Sequence, residues 1–560
     1  MFMFRIRTFV GLIAGVGLLG GFSSLALAGV GKVVEDTKTV RVFIFAGQSN
    51  MVGSDSRLKD VKRFPPFVGL DAPQEKVMFS YNLGREEKRT SNGWVALQPV
   101  DKVVGPELSF GRRVAEVTKA PIAIIKCAAG GTHLGGDWNP DTPTGFALYP
   151  IALKLVRDSL AELDRKGIKY RLEGFMWHQG ENDMFDKVFK PNYGANLRNF
   201  LASWRRDLNA PKLKFYIGEL STKTIWGMDN RDNMYAIRAG QKSVTESDPL
   251  AEYIPTSHIG IEIGGGAGLH YHYGTLGQLE HGANYAEAYL RTIGKGAPAS
   301  VGLKKWPYKK GSSVKLFVMA GHRNMEGERA FVQDLKGLLG GNALVKANPS
   351  VAFKYSLGGG LKVSNGWEAL RPTGFYETFG PELSFGQSLL PALGGNFAIC
   401  KFTDSGSQMN DWTPEGTAAK DRNLYSKFIG FIRDSINEIE KRGNRVELAG
   451  IFYHVGENDM AFAPYRRSSI GWLKSTIVQS RLGLDMPGLK WFVSQQPPAD
   501  DKSVNGIDVT SALSGLAATD PHLIHIKAFE LPAQHEQLVI TAPGIVELGG
   551  VLARRYLAEK

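Results

Sequence analysis

The chain has 560 residues, 43% hydrophobic and 22% charged, the composition of a globular protein and not of a disordered one. Its net charge of +12 is scattered without a basic run, which argues against nucleic-acid binding, and no apolar segment after residue 28 is long enough to span a membrane. Cys127 and Cys400 occupy near-equivalent places in two repeated halves, so two buried free thiols are expected rather than a disulfide-dependent fold.

Residues 1–28 read as a secretory signal peptide. Arg5 and Arg7 form a charged start, Phe9 to Phe22 an apolar stretch, and Ala26-Leu27-Ala28 a small-residue cleavage site. A secreted or periplasmic location follows as an expectation. Next, Val42 to Ala46 is a short apolar run of the kind that forms a strand buried on both faces. It ends at Gly47, and Gln48-Ser49-Asn50-Met51 follows. A serine just past the C-terminal end of such a strand sits where open α/β sheets bind ligands. It is either a nucleophile or the N-cap of a following helix. Further along, Ile122–Ile125, Leu172–Trp177 and Phe215–Ile217 are strands, while Leu148–Leu163 and Gly277–Ile293 have helical periodicity. Alternating strands and helices predict a parallel sheet with helices on both faces.

The unit is present twice. Val42 to Met51 recurs as Leu316 to Met325, and Ser91-Asn92-Gly93-Trp94 as Ser364-Asn365-Gly366-Trp367. Gly105 to Gly111 recurs unchanged as Gly380 to Gly386, and Gly180 to Met184 as Gly456 to Met460. A repeat this long makes each copy a domain rather than a solenoid turn. The expected layout is a signal peptide at 1–28, a first domain at 29–297, a linker at 298–310 and a second domain at 311–560.

In copy one, Ser49, Gly130-Gly131-Thr132 and His178-Gln179-Gly180-Glu181-Asn182-Asp183 all follow strands, and His270 precedes the last helix. Acyl transfer needs this set: a hydroxyl nucleophile, a base, and N–H donors aimed at the developing oxyanion. These blocks, Gly-Gln-Ser-Asn-Met, Gly-Gly-Thr, Trp-His-Gln-Gly-Glu-Asn-Asp and Gly-Leu-His, resemble the SGNH hydrolase superfamily, and within it the sialate O-acetylesterase and family-six carbohydrate esterase branch. The resemblance covers residues 38–293 and, in decayed form, 311–560. It implies a flavodoxin-like α/β sandwich in each copy and a metal-independent esterase that removes acetyl groups from sugars. It makes Ser49 the nucleophile and His270 the base. The oxyanion donors are then the Ser49 N–H, Gly131 (or Gly130) and Asn182, with Gln179 nearby. The implied partner is an acetylated carbohydrate, with no metal, cofactor or nucleic acid; the oligomeric state stays open.

One position departs from the pattern: Ala267 stands where the family places the aspartate that orients the histidine. Glu262, a backbone carbonyl in a Ser–His dyad, or nothing at all would take its place. His272 points to the same side as His270 on an extended segment and is an alternative base. Glu181 and Asp183 either act as carboxylates or hold the loop around Asn182, and Trp94 and Trp138 either line a sugar site or pack in the core. In copy two, Arg323 replaces the serine, His322 replaces Gln48, Val455 replaces Gln179, and Gln537 stands in the place of His270. Copy two is therefore expected to lack hydrolase chemistry, serving for packing or holding an acidic glycan at Arg323. The function expected is a secreted carbohydrate O-acetylesterase, the rival being a glycan-binding protein built from two decayed esterase domains.

Overall fold

The computed structural model describes residues 36–559, apart from 226–227, 262–270, 299, 418–422, 496–507, 528–530, 532 and 535–537. The signal-peptide segment, Glu262, Ala267, His270, His535 and Gln537 lie outside the described residues. Among the described residues no helix is long and apolar enough to cross a membrane.

Copy one opens with β1 (Val40–Gly47), every residue of which is buried, followed by one helical turn, α1 (Ser49–Val52). Next come β2 (Gln74–Leu83), the short strands β3 (Arg89–Thr90) and β4 (Val95–Leu97), and helix α2 (Glu107–Thr118). Then follow β5 (Ile122–Ala128), α3 (Leu148–Arg165), β6 (Tyr170–His178), α4 (Phe189–Asp207) and β7 (Phe215–Gly218). A two-stranded hairpin, β8 (Thr224–Ile225) and β9 (Met228–Asp229), leads into α5 (Arg231–Ser247), β10 (Ala251–Ile254) and α6 (Gly274–Thr292). The sheet order is β10-β7-β6-β1-β5-β2-β3, with β4 also on β2; only β3 and β4 run antiparallel to their neighbours.

The uninterrupted apolar sequence of β1 has a simple cause, since both faces of the sheet are covered. Val42, Ile44 and Ala46 pack with side chains of α3, α4 and α5, while Phe43 and Phe45 pack with those of α2 and α6. Each large apolar side chain buried this way contributes about 2 kcal/mol. Because β1 lies between β5 and β6, the loops leaving all three strands converge at one end of the sheet, the usual ligand position in open α/β sheets.

Copy two repeats this arrangement. Its central strand, Ser313–Gly321, lies between Phe397–Thr403 and Arg445–His454, and its eight-stranded sheet has the equivalent order. The unchanged Gly-Pro-Glu-Leu-Ser-Phe-Gly segment now has a physical reason. Glu107 is ion-paired at 2.6 Å with Lys126 in the interior, and Glu382 with Lys401 at 2.8 Å. A Cβ on Gly105 or Gly380 would collide with these pairs. Removing one partner of a buried ion pair is strongly destabilising, so all parts of the device persist together. Cys127 and Cys400 are buried free thiols, and burial pushes both up to about 12.

Residues 37–560 form one compact unit in which the two copies pack together. The loop and hairpin after β7 and the segment after β10 meet copy two. Lys223 Nζ donates to the Gly406 carbonyl, Arg231 lies 4.2 Å over the Tyr465 ring, and Tyr465 donates to Asp229 at 2.9 Å. His258 reaches the Tyr376 hydroxyl at 2.9 Å. Phe64 packs on Phe331 with 6.2 Å between ring centres.

Candidate active site

Gly47 ends β1 at φ +153°, and a Cβ there would collide with the His178 carbonyl, so only glycine lets β1 turn this close to β6. Ser49 is the first residue of α1 and Gln48 is its N-cap, without a side-chain capping bond. Ser49 is thus not a capping serine. With only four residues, α1 also supplies little of the helix dipole that an oxyanion would use.

Gly130 and Gly131, in the turn after β5, lie against this position. A Cβ on Gly130 would stand 3.5 Å from Ser49 Cβ, and one on Gly131 would stand 4.0 Å from Asn182 Nδ2. Gly131 has φ +72°, the left-handed conformation the turn requires. Asn182 Oδ1 accepts a hydrogen bond from Gln48 Nε2 at 3.3 Å, which leaves its Nδ2 turned toward the glycine turn. The structure therefore brings Ser49, Gly130, Gly131 and Asn182 together.

Gln179 is a correction. It is fully buried, and its Nε2 is spent on Gln48 Oε1 (3.2 Å), the Thr132 carbonyl (2.9 Å) and Asp183 Oδ2 (2.5 Å). A primary amide has two N–H hydrogens, so none remains for a substrate oxygen. Gln179 positions the loop instead of donating to an oxyanion. Asp183 also accepts from the Leu134 (2.8 Å) and Gly135 (3.1 Å) amides, and burial raises it to about 6 despite these bonds. Glu181 Oε1 accepts from Asn50 Nδ2 at 2.6 Å and lies 3.6 Å from His178 Nε2. Burial pushes Glu181 up, but His178 and Asn50 outweigh it and hold the carboxyl below its ordinary range. Both carboxylates thus brace the loop that carries Asn182.

The tryptophans are accounted for by packing. Trp138 is fully buried, set edge-on against Trp177, and donates to Thr132 Oγ1 at 3.1 Å; Trp94 donates to the Ser159 carbonyl at 3.1 Å. Reading the sequence alone missed four residues. Gln48 and Asn50 flank Ser49 inside the motif itself, and the loss of Gln48 in copy two was the available signal. Arg85 borders the glycine turn: its Nη1 would stand 3.0 Å from a Cβ on Gly131, and its guanidinium lies 5.1 Å over the Phe146 ring. The Arg85 side chain is 43% exposed, and Glu86, 3.6 Å away, is itself largely exposed. The fourth is Asp55, whose carboxylate lies 2.7 Å from His272 Nδ1. The segment carrying His272 is joined to the site, since Asn50 Nδ2 donates to the Tyr271 carbonyl (3.2 Å) and Asn50 Oδ1 accepts from the Tyr273 amide (3.1 Å).

The equivalent place in copy two is closed. Arg323 is fully buried, ion-paired to Glu328, and donates from Nε to Asn458 Oδ1 at 2.8 Å. Asn458 Nδ2 is spent on the Ser405 and Ser407 carbonyls at 3.0 and 2.8 Å. The Arg323 amide itself donates to Glu457 Oε2 at 3.1 Å. An acidic-glycan site at Arg323 is therefore not what this structure holds: its cation is already neutralised, and copy one covers the turn at Gly406.

A three-layer α/β fold with a serine, a glycine turn and a side-chain amide meeting at the strand ends defines the class: an esterase-type α/β domain, here in tandem. The profile of the family described as carbohydrate esterase, sialic acid-specific acetylesterase, matches residues 39–291 and again 313–558, so the chain belongs to that family. A probable carbohydrate esterase of Arabidopsis thaliana is 30% identical over 193 residues, 31% of this chain. The match spans 66% of that relative's length, just under two thirds. Among solved structures, NanS aligns over 46% of this chain and 99% of its own at 16% identity, with a TM-score of 0.36. A carbohydrate acetylesterase from Xanthomonas citri aligns over 47% of this chain and 59% of its own at 16% identity, with a TM-score of 0.32.

Proposed function

We propose that this protein is a secreted carbohydrate O-acetylesterase of the sialate O-acetylesterase type, working through Ser49 in copy one. Attack by Ser49 Oγ on the acetyl carbonyl would place the oxyanion among the Ser49 amide, the Gly131 amide and Asn182 Nδ2, with a histidine of the 270–272 segment as base. His270 is the base implied by the family resemblance. The observation that carries the reading is the approach of the glycine turn and the Asn182 amide to Ser49. The domain at 29–297 is then catalytic, 298–310 is a connection, and 311–560 is a domain without a nucleophile that packs against the first. Arg85 supports an acidic sugar, since a half-exposed guanidinium beside the oxyanion turn suits a carboxylate on the substrate.

The test is hydrolysis of p-nitrophenyl acetate and of acetylated sialic acid, acetylated glucuronate and acetylated xylose by wild type, Ser49→Ala and Arg85→Ala. Turnover lost in Ser49→Ala is expected, with a KM increase in Arg85→Ala confined to the acidic sugars. Wild-type protein that binds these sugars without hydrolysing any ester would make it a glycan-binding protein.

A further inference from the structure

We propose that His272 is the general base of this site and that Asp55 is the carboxylate that orients it. The proposal rests on the reading of Ser49 as nucleophile.

The two residues are 217 positions apart, yet Asp55 Oδ2 lies 2.7 Å from His272 Nδ1. The His272 side chain is 13% exposed, and its other ring nitrogen, Nε2, is buried and has no hydrogen-bond partner among the described residues. A carboxylate on Nδ1 fixes the tautomer with the proton there and leaves the Nε2 lone pair as acceptor. This is the state a general base must have before it takes a proton from a serine hydroxyl. The orienting job that Ala267 cannot perform is thus done from another loop.

That loop is built to hold the carboxylate. Asp55 has φ +61°, a left-handed conformation that aspartate tolerates better than most residues. The turn is fastened on both sides: Ser56 Oγ donates to the Gly53 carbonyl at 2.6 Å and accepts from the Val104 amide at 2.7 Å. Arg57 is tied to Thr275, at the start of α6, through its amide (2.7 Å) and its carbonyl (3.2 Å). These bonds brace the Asp55 loop against the element that follows His272. On the other side of His272, the Tyr271 carbonyl and the Tyr273 amide are held by Asn50, the neighbour of Ser49. The same loop therefore starts at the nucleophile, ends at the carboxylate, and grips the histidine segment between them. The Tyr271 ring, 4.6 Å from the imidazole, is the ring packed on it, and Asp55 is the charged group that faces it.

In the acylation step the Ser49 Oγ–H proton passes to His272 Nε2 as Oγ bonds the acetyl carbon. The imidazolium formed keeps its Nδ1–H on the Asp55 carboxylate. As the tetrahedral intermediate collapses, the C–O bond to the sugar breaks and the sugar oxygen takes the Nε2 proton. A water molecule repeats the sequence on the acetyl-serine, giving acetate and free Ser49.

The test uses the full chain and compares His272→Gln, His270→Gln and Asp55→Asn with wild type on p-nitrophenyl acetate, with Ser49→Ala beside them. His272→Gln should lower kcat by 10²–10⁴, the usual contribution of general base catalysis. Asp55→Asn, at an exposed position that costs the fold little, should lower kcat at unchanged KM. Asp55→Glu should recover part of that kcat. A His272→Gln enzyme with wild-type kcat, or an Asp55→Asn enzyme with wild-type kcat, overturns the proposal while the Ser49 reading stands. Full activity in Ser49→Ala overturns the Ser49 reading itself.

Discussion

Gln48 offers the sharpest test of how this site is held. It is fully buried, its Nε2 donates to Asn182 Oδ1 at 3.3 Å, and its Oε1 accepts from Gln179 Nε2 at 3.2 Å. Gln48→Ala removes these two neutral hydrogen bonds, about 1 kcal/mol each, together with two long and weak ones at 3.5 Å, to Ser49 Oγ and from the Asn182 amide, and leaves a small cavity worth about another 1 kcal/mol. Unfolding stability should fall by about 3 kcal/mol, read from urea denaturation. Gln48 Nε2 also reaches Ser49 Oγ, but at the 3.5 Å limit, so the catalytic effect is expected mainly through Asn182, whose amide is no longer fixed toward Gly131. Complete loss of one oxyanion donor costs about 10²–10³ in kcat, so a loosened donor should cost about 10–10². The discriminating measurement is the double variant. If Gln48 acts through Asn182, Gln48→Ala/Asn182→Ala should turn over p-nitrophenyl acetate no more slowly than Asn182→Ala alone, within about threefold. Multiplicative losses, reaching about 10⁴ in the double variant, would mean that Gln48 acts directly, through its long contact to Ser49 Oγ or on the substrate oxygen, and not by positioning Asn182.

Two further outcomes follow from buried charges. Arg323→Ala takes the nearer of two cations from the buried Glu328 carboxylate, leaving it Arg329 at 3.7 Å and close to Glu280, which burial and then Glu328 already hold well above the usual carboxylate range. Stability should drop by about 3–5 kcal/mol, whereas Arg323→Met combined with Glu328→Gln should recover most of the loss; equal loss in both refutes the pairing argument. Asp183 carries a pH signature. Its folded value is about 6 against an ordinary 3.8, so between about pH 4 and 6 the folded state holds a proton that the unfolded state releases. Its contribution to stability therefore declines as pH rises through that window, by up to about 3 kcal/mol. Asp183→Asn removes this decline, so the stability difference between variant and wild type should shift toward the variant from pH 4 to pH 6; a flat difference contradicts it.

The fold was readable because its signals are local and repeated. The apolar run of β1 has to be covered on both faces, and the duplication shows which positions the scaffold needs in any copy. The geometry of the candidate site was readable where its residues sit at strand ends: Ser49, the glycine turn and Asn182 each follow a strand, and the sheet order brings the three loops together. What stayed hidden depends on where hydrogen bonds are spent. Gln179 and Asn182 carry the same amide chemistry three residues apart. Only the structure shows one saturated by Gln48, Thr132 and Asp183 and the other left with its N–H groups toward Gly131. The Asp55–His272 contact joins the two ends of copy one, and no local pattern announces it.

Comparing the copies shows what separates a site from its scaffold. The strand, the turn, the Gly-Glu-Asn-Asp-Met segment and the buried lysine–glutamate pair are common to both, so none of them is sufficient for chemistry. The difference lies in what the glutamate of that segment holds. In copy two Glu457 takes both the Arg323 and the Asn324 amides, at 3.1 and 3.0 Å, and burial raises it to about 8. The backbone N–H that would face an oxyanion is consumed. In copy one Glu181 takes the side chain of Asn50 instead, and its second oxygen has no hydrogen-bond partner among the described residues. Asn50 in turn grips the Tyr271–Tyr273 segment. Asn324 grips the matching Leu538–Ile540 segment of copy two in the same way, at 2.6 and 2.8 Å, so the copies differ in the carboxylate: it takes two backbone amides of the turn in copy two and the Asn50 side chain in copy one. Replacing the serine is therefore not the only loss in copy two, and an Arg323→Ser substitution alone should restore no esterase turnover there. Turnover by a Ser49→Ala/Arg323→Ser protein would show that the glutamate's choice of partner does not govern the site.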